Sequence, residues 1–121
     1  GVLSVMPGWA LLSAVMAASE SLGVRAELEQ QWSQNGSNFA EEAGKRVREN
    51  TAKAWRFTGE MDEIAATFEA AGVPGGFHEA AAEIYARMAG IDRVHYSPGA
   101  GRHLLSSYAT ILSCLGQPAP P

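Results

Sequence analysis

Five residues, Gly72-Val73-Pro74-Gly75-Gly76, separate two stretches of helical hydrophobic spacing and so dictate most of what the chain can become. Upstream, Val47, Ala54, Phe57, Met61, Ile64, Phe68 and Ala71 follow a 7, 3, 4, 3, 4, 3 spacing, a single stripe along one side of a helix. Downstream, Phe77, Ala81, Ile84 and Met88 repeat the 4, 3, 4 interval. Gly72 stops the first helix and Pro74 forbids its continuation. A short turn between two helices makes antiparallel neighbours. Residues 59–89 are therefore expected to form a helical hairpin, its apolar stripes meeting each other or a third helix. Burying Phe57, Met61, Ile64 and Phe68 contributes about 1.5–3 kcal/mol each.

The rest of the chain reads as helices of the same kind. Helix one is expected from Pro7 or Gly8 to Leu22, with Gly23 as its stop. Leu12, Val15, Met16 and Leu22 give it a helical period, and Ala14, Ala17 and Ala18 keep its other faces small. A short second helix covers Val24 to Trp32, with Leu28 and Trp32 on one face. Residues 33–38 form a loop around the Asn35-Gly36 turn pair. Helix three starts near Ser37 or Asn38, both good caps, and either continues to Ala71 or breaks near Asn50-Thr51. Helix four runs from Gly76 to Ala89, residues 92–101 form a loop, and helix five runs from Arg102 to Leu115. Leu104, Leu105, Tyr108, Ile111, Leu112 and Leu115 mark the apolar face of that last helix. Residues 116–121 are an extended tail. No segment alternates as a strand does. The expected fold is all-α: a five-helix, bundle-like single domain over residues 1–121, with a central hairpin.

Charge and cysteine content narrow the partners. A formal charge of −4 argues against nucleic acid, whose binders carry a basic footprint. Residues 2–19 hold no charge, but the stretch is short for a membrane span and contains Ser4, Pro7, Gly8 and Ser13. It lacks the basic region that precedes a signal peptide's apolar run. It reads instead as a helix buried on most of its surface. Cys114 is the only cysteine, lies among Ile111, Leu112 and Leu115, and reads as a small core hydrophobe. A cytoplasmic, reducing compartment is the expectation.

No motif carries a reaction. Glu60, Asp62 and Glu63 lie off the hairpin stripe and read as a solvated face, since tuned carboxylates need burial or a special neighbour. His78 stands beside Glu79, with Glu83 five residues on, but no Glu-x-x-His occurs anywhere. His95 and His103 lack metal-ligand spacing, so no metal is expected. Ser106 and Ser107 near His103 do not make a nucleophile motif. The single Gly99-Ala100-Gly101 lacks the strand and further glycines of a phosphate loop. Catalytic residues remain unassigned. The candidate ligand-binding residues are Trp9, Trp55, His78 and Tyr85: bulky aromatics that often line pockets, and one histidine.

The stretch RFTGEMDEIAATFEAAGVPGGFHEAAAEIYARMA, from Arg56 to Ala89, resembles the helical C-terminal domain of NAD(P)-dependent oxidoreductases related to 6-phosphogluconate dehydrogenase and the β-hydroxyacid dehydrogenases. WALLSAVMAASESLGV, residues 9–24, is similar to the helix that precedes it there. The resemblance implies a domain that closes over substrate and builds a homodimer, while a separate Rossmann domain binds NAD(P). The resemblance also implies a catalytic lysine on the long helix leading into the helical half, and family members tend to carry a Thr-Lys-Gly just before the Ala-Leu-Leu run. This chain has Met6-Pro7-Gly8 there and no lysine before Lys45. No catalytic residue carries over, and no cofactor is expected to bind this chain alone. Homodimerisation through helices one and three is the expectation. The alternatives are a stand-alone helical small-molecule binder or cofactor-independent enzyme, and a pure protein-interaction module.

Overall fold

In the computed structural model, residues 6–95 and 108–117 are described. They form six α-helices: α1 (Met6–Ser21), α2 (Arg25–Trp32), α3 (Phe39–Lys53), α4 (Thr58–Ala70), α5 (Gly76–His95) and α6 (Tyr108–Leu115). Among the described residues there is no strand, so the all-α expectation stands. The expected loop at residues 92–95 is instead the last turn of α5, which runs through a buried Gly90. The first part of the fifth expected helix, residues 102–107, lies outside the described residues, as does most of the tail.

The hairpin turn forms by a specific hydrogen-bond pattern. Gly72 takes a φ of 79°, a left-handed conformation that costs a glycine little. Its N–H donates to Glu69 O at 3.0 Å, and the Val73 N–H donates to Phe68 O at 2.9 Å. That pair satisfies two carbonyls left open by the end of α4. The end of α1 repeats the arrangement, with Val24 N donating to Ser19 O at 2.9 Å. Gly75 then lies against α4: a Cβ there would stand 2.7 Å from Ala65 O, and its N–H donates to Glu69 Oε1 at 2.8 Å.

α5 is the central element, packing against α1, α3, α4 and α6. The core gathers Met16, Val47, Met61, Ile64, Tyr85, Met88, Ile111, Leu112 and Leu115, one or more from each helix except α2. Leu28 and Trp32 of α2 pack against its edge, half-buried. Cys114 does the same on α6.

Three expectations about faces need correction. Phe77 is 77% exposed, whereas His78, one position on, is 6% exposed. The buried stripe of α5 therefore passes through His78, Ala81, Ala82, Tyr85, Met88 and Ile91. Ala71 lies beyond the end of α4 and is exposed. The buried side of α1 consists of Ala10, Ser13, Met16, Ala17 and Ser19, while Leu11, Val15 and Leu22 face outward. This helix is not buried on most of its surface. Its hydroxyls are satisfied locally: Ser13 Oγ donates to Trp9 O at 2.9 Å and Ser19 Oγ to Met16 O at 2.8 Å.

The long third helix is interrupted at Ala54–Arg56, where a short 3-10 turn separates α3 from α4. The break comes after Thr51 rather than at it. Thr51 is buried and its Oγ1 donates to Val47 O at 2.7 Å, so the helix passes through it with its hydroxyl paired.

Candidate functional site

α1 presents large apolar side chains to solvent because its small residues, not its large ones, fit against α5 and α6. Leu11 is 67% exposed and stands between two grooves. One, of about 590 Å³, is walled by Leu11 and Ala14 on α1 and by Pro74, Phe77, Ala80 and Ile84 at the hairpin and on α5. The other, of about 480 Å³, is walled by Trp9, Leu11, Leu12, Val15, Trp32 and Phe39. The Trp32 and Phe39 rings meet edge-on at 4.9 Å and brace its far wall. The Arg46 guanidinium lies 5.2 Å from the centre of the Trp9 ring.

The four aromatic and histidine candidates are not brought together. Trp9 lines the second groove. Trp55 lies in the turn between α3 and α4, 60% exposed, with the Arg56 guanidinium 5.9 Å from its ring centre. Tyr85 is fully buried, its ring 5.1 Å from that of Phe57, and burial, with the charge of Glu60, raises its phenol well above the usual range. His78 is buried edge-on to Phe68 at 4.4 Å, and its Nδ1 has no hydrogen-bond partner. Neither groove is lined by more than one of the four.

A third, polar cavity of about 550 Å³ lies between α2, α3 and α6. Arg25, Glu29, Arg48 and Tyr108 line it, with the small residues Ala26, Ala40 and Gly44. Burial pushes the Tyr108 phenol up to about 12; Glu29 adds to this, while Arg25 and Arg48 oppose it. Arg25 is neutralised by Glu20 and by Glu29, the latter at 3.1 Å. No local pattern announces this cavity, because its residues come from three separate helices. The exposed α1 face did leave a signal: Leu11, Leu12, Val15 and Met16 are more large apolar residues than one stripe can bury.

Of the hairpin acids, Asp62 and Glu63 are exposed and Glu60 is half-buried. Among the described residues no three of His, Cys, Asp and Glu gather where they could hold a metal ion. The side chains of His95 and His103, the serines at 106 and 107, and the Gly-x-Gly at 99–101 lie outside the described residues. Among the described residues there is no strand, glycine turn and helix of the kind that seats a dinucleotide. No described helix is long and apolar enough to cross a membrane.

Residues 19–88, more than half of the chain, match the family described as "Domain of unknown function (DUF1932)". No curated protein and no solved structure matches the chain.

Proposed function

This chain belongs to the DUF1932 family, the helical C-terminal domain found in 6-phosphogluconate-dehydrogenase-like NAD(P)-binding oxidoreductases, and from that premise we propose that it is the substrate-side, dimer-forming half of such an enzyme. The nicotinamide cofactor would sit on a separate nucleotide-binding unit. The observation that carries this reading is the apolar face around Leu11. Val15, Phe39 and Phe77 are exposed beside it, and grooves open on both of its flanks. Contiguous exposed apolar surface of this kind marks an interaction site.

The shape favours a second copy as the occupant. A two-fold interface must be self-complementary. Here α1 offers a ridge, Leu11, beside a groove that it forms with α5, with small residues Ala14, Ala80 and Ala81 in its walls. The ridge of one protomer fits the groove of the other, as in ordinary ridge-into-groove packing. The contacting elements are then α1 and the start of α5, with Phe39 of α3 at the edge. Sedimentation of the chain at tens of micromolar tests this. A dimer that becomes monomeric in Leu11→Glu, with helicity unchanged, supports it; a monomeric parent overturns it.

The second reading is a small-molecule binder. Its support is the groove around Trp9, Trp32 and Phe39, whose volume lies in the range of ligand pockets, about 300–1,000 Å³. Saturable quenching of tryptophan fluorescence by a hydrophobic ligand, lost in Trp9→Ala, would favour that reading over dimerisation.

A further inference from the structure

The polar cavity between α2, α3 and α6 shares no lining residue with the two apolar grooves. One of its walls is the ring of Tyr108. Two guanidiniums converge on that ring, Arg25 at 5.3 Å and Arg48 at 5.7 Å from its centre. The ring is held against bare backbone, for a Cβ on Gly44 would stand 3.3 Å from Tyr108 Cε2. Its hydroxyl is buried and makes no hydrogen bond. The ring is therefore positioned by its faces and edges, as a platform, and not by its phenol.

The two arginines differ in what they have left to offer. Arg25 already spends its charge on Glu20 and Glu29. Among the described residues Arg48 has no carboxylate partner. Contact with an aromatic ring engages a guanidinium without consuming its N–H donors, which remain able to receive a carboxylate in two parallel hydrogen bonds. We propose that this cavity binds a small organic carboxylate, with Arg48 as its counter-ion and the Tyr108 ring, Ala26 and Ala40 as the surface for its apolar body. The charge arithmetic selects a monoanion. Arg25 and Arg48 balance Glu29 and Glu41 in the lining, so a monocarboxylate leaves one excess negative charge there and a dianion leaves two, which favours the smaller charge. The volume suits a molecule of modest size. The site is independent of the dimerisation reading, because no residue is common to both.

The test is a titration of the ¹⁵N-labelled chain followed by amide shifts, with butyrate, butyramide and inorganic phosphate as probes. Butyrate is expected to move the Gly44, Arg48 and Tyr108 amides along one saturating curve. Butyramide, with the same body and no charge, and phosphate are expected to leave them in place. Arg48→Gln should weaken butyrate at least tenfold, Arg48→Lys by less, and Arg46→Gln, outside the cavity, not at all. Equal response to butyramide, saturation by phosphate below the butyrate concentration, or unchanged binding in Arg48→Gln would each overturn the assignment. So would the lack of any saturable shift. Circular dichroism of the Arg48 variants separates lost binding from lost fold.

Discussion

Arg87 Nη1 donates a 3.0 Å hydrogen bond to the carbonyl oxygen of Leu115, twenty-eight residues further along the chain. The carbonyls of a helix's last turn have no partner within the helix and carry its negative end. A guanidinium from α5 satisfies one of them and fastens α6 to the central helix. Glu83 holds the same side chain from below through its carboxylate at 3.0 Å. Arg87→Met keeps much of the apolar stem but removes the donor. It is expected to lower stability by about 1–2 kcal/mol and to speed hydrogen exchange in Ile111–Leu115 before the rest of the protein. Uniform exchange across all helices would show that the bond does not anchor α6.

Two glycines should respond in opposite directions to the same substitution. A Cβ at Gly75 meets the Ala65 carbonyl at 2.7 Å, an unyielding backbone atom. Gly75→Ala is expected to cost about 1–3 kcal/mol as the hairpin opens to relieve the clash. A Cβ at Gly59, inside α4, meets nothing within 4 Å. Gly59→Ala should stabilise by about 0.5–1 kcal/mol through helix propensity alone. Urea denaturation of both variants reads the pair. Equal effects would contradict the close approach of the turn to α4.

Adjacent positions at the start of α5 carry unequal weight. Phe77 is exposed and His78 is packed against Phe68. Phe77→Ser is expected to change stability of the isolated protomer by less than about 0.5 kcal/mol. His78→Ala leaves a gap beside Phe68 and is expected to cost about 2 kcal/mol. Thermal melts at low protein concentration distinguish the two. A Phe77 variant as damaged as the His78 variant would put the buried stripe back where simple periodicity first places it.

Alkaline pH should unfold the protein through its buried phenols. Burial raises both Tyr85 and Tyr108 above the ordinary value of 10.0, Tyr108 to about 12. Above pH 10 the unfolded chain gives up these protons while the folded chain keeps them. The unfolded state then binds fewer protons, so stability falls with rising pH. The contribution is complete below about pH 10 and is lost as pH climbs through the folded values. Melting temperature should hold level up to about pH 9 and drop by about pH 11, less steeply in Tyr85→Phe. A Tyr85→Phe slope equal to the parent's would remove Tyr85 from the explanation.

Much of this fold is legible in the residue spacing. Phe57, Met61 and Ile64 announce α4, Gly72 and Pro74 mark its end, and Ile111, Leu112 and Leu115 fall buried as their period implies. Periodicity fails where it must decide between neighbours. Phe77 and His78 differ by one position, about 100° around the helix. The larger apolar residue is the natural choice, but the packing of α4 places Phe68 over His78. It fails again on α1, where close approach to other helices selects Ala10, Ser13 and Ala17 and leaves Leu11 outside. The expected helix end at Ala89 fails too, for α5 continues through a buried Gly90 to His95. The polar cavity is invisible in the sequence because Arg25, Arg48 and Tyr108 converge only after three helices have packed.

Gly8 and Leu11 belong to the walls of both apolar grooves. Whatever settles on one side of α1 therefore borrows part of the other side's boundary. An occupant of one groove that displaces Leu11 thereby changes the affinity of the other, and by reciprocity the factor is the same in both directions.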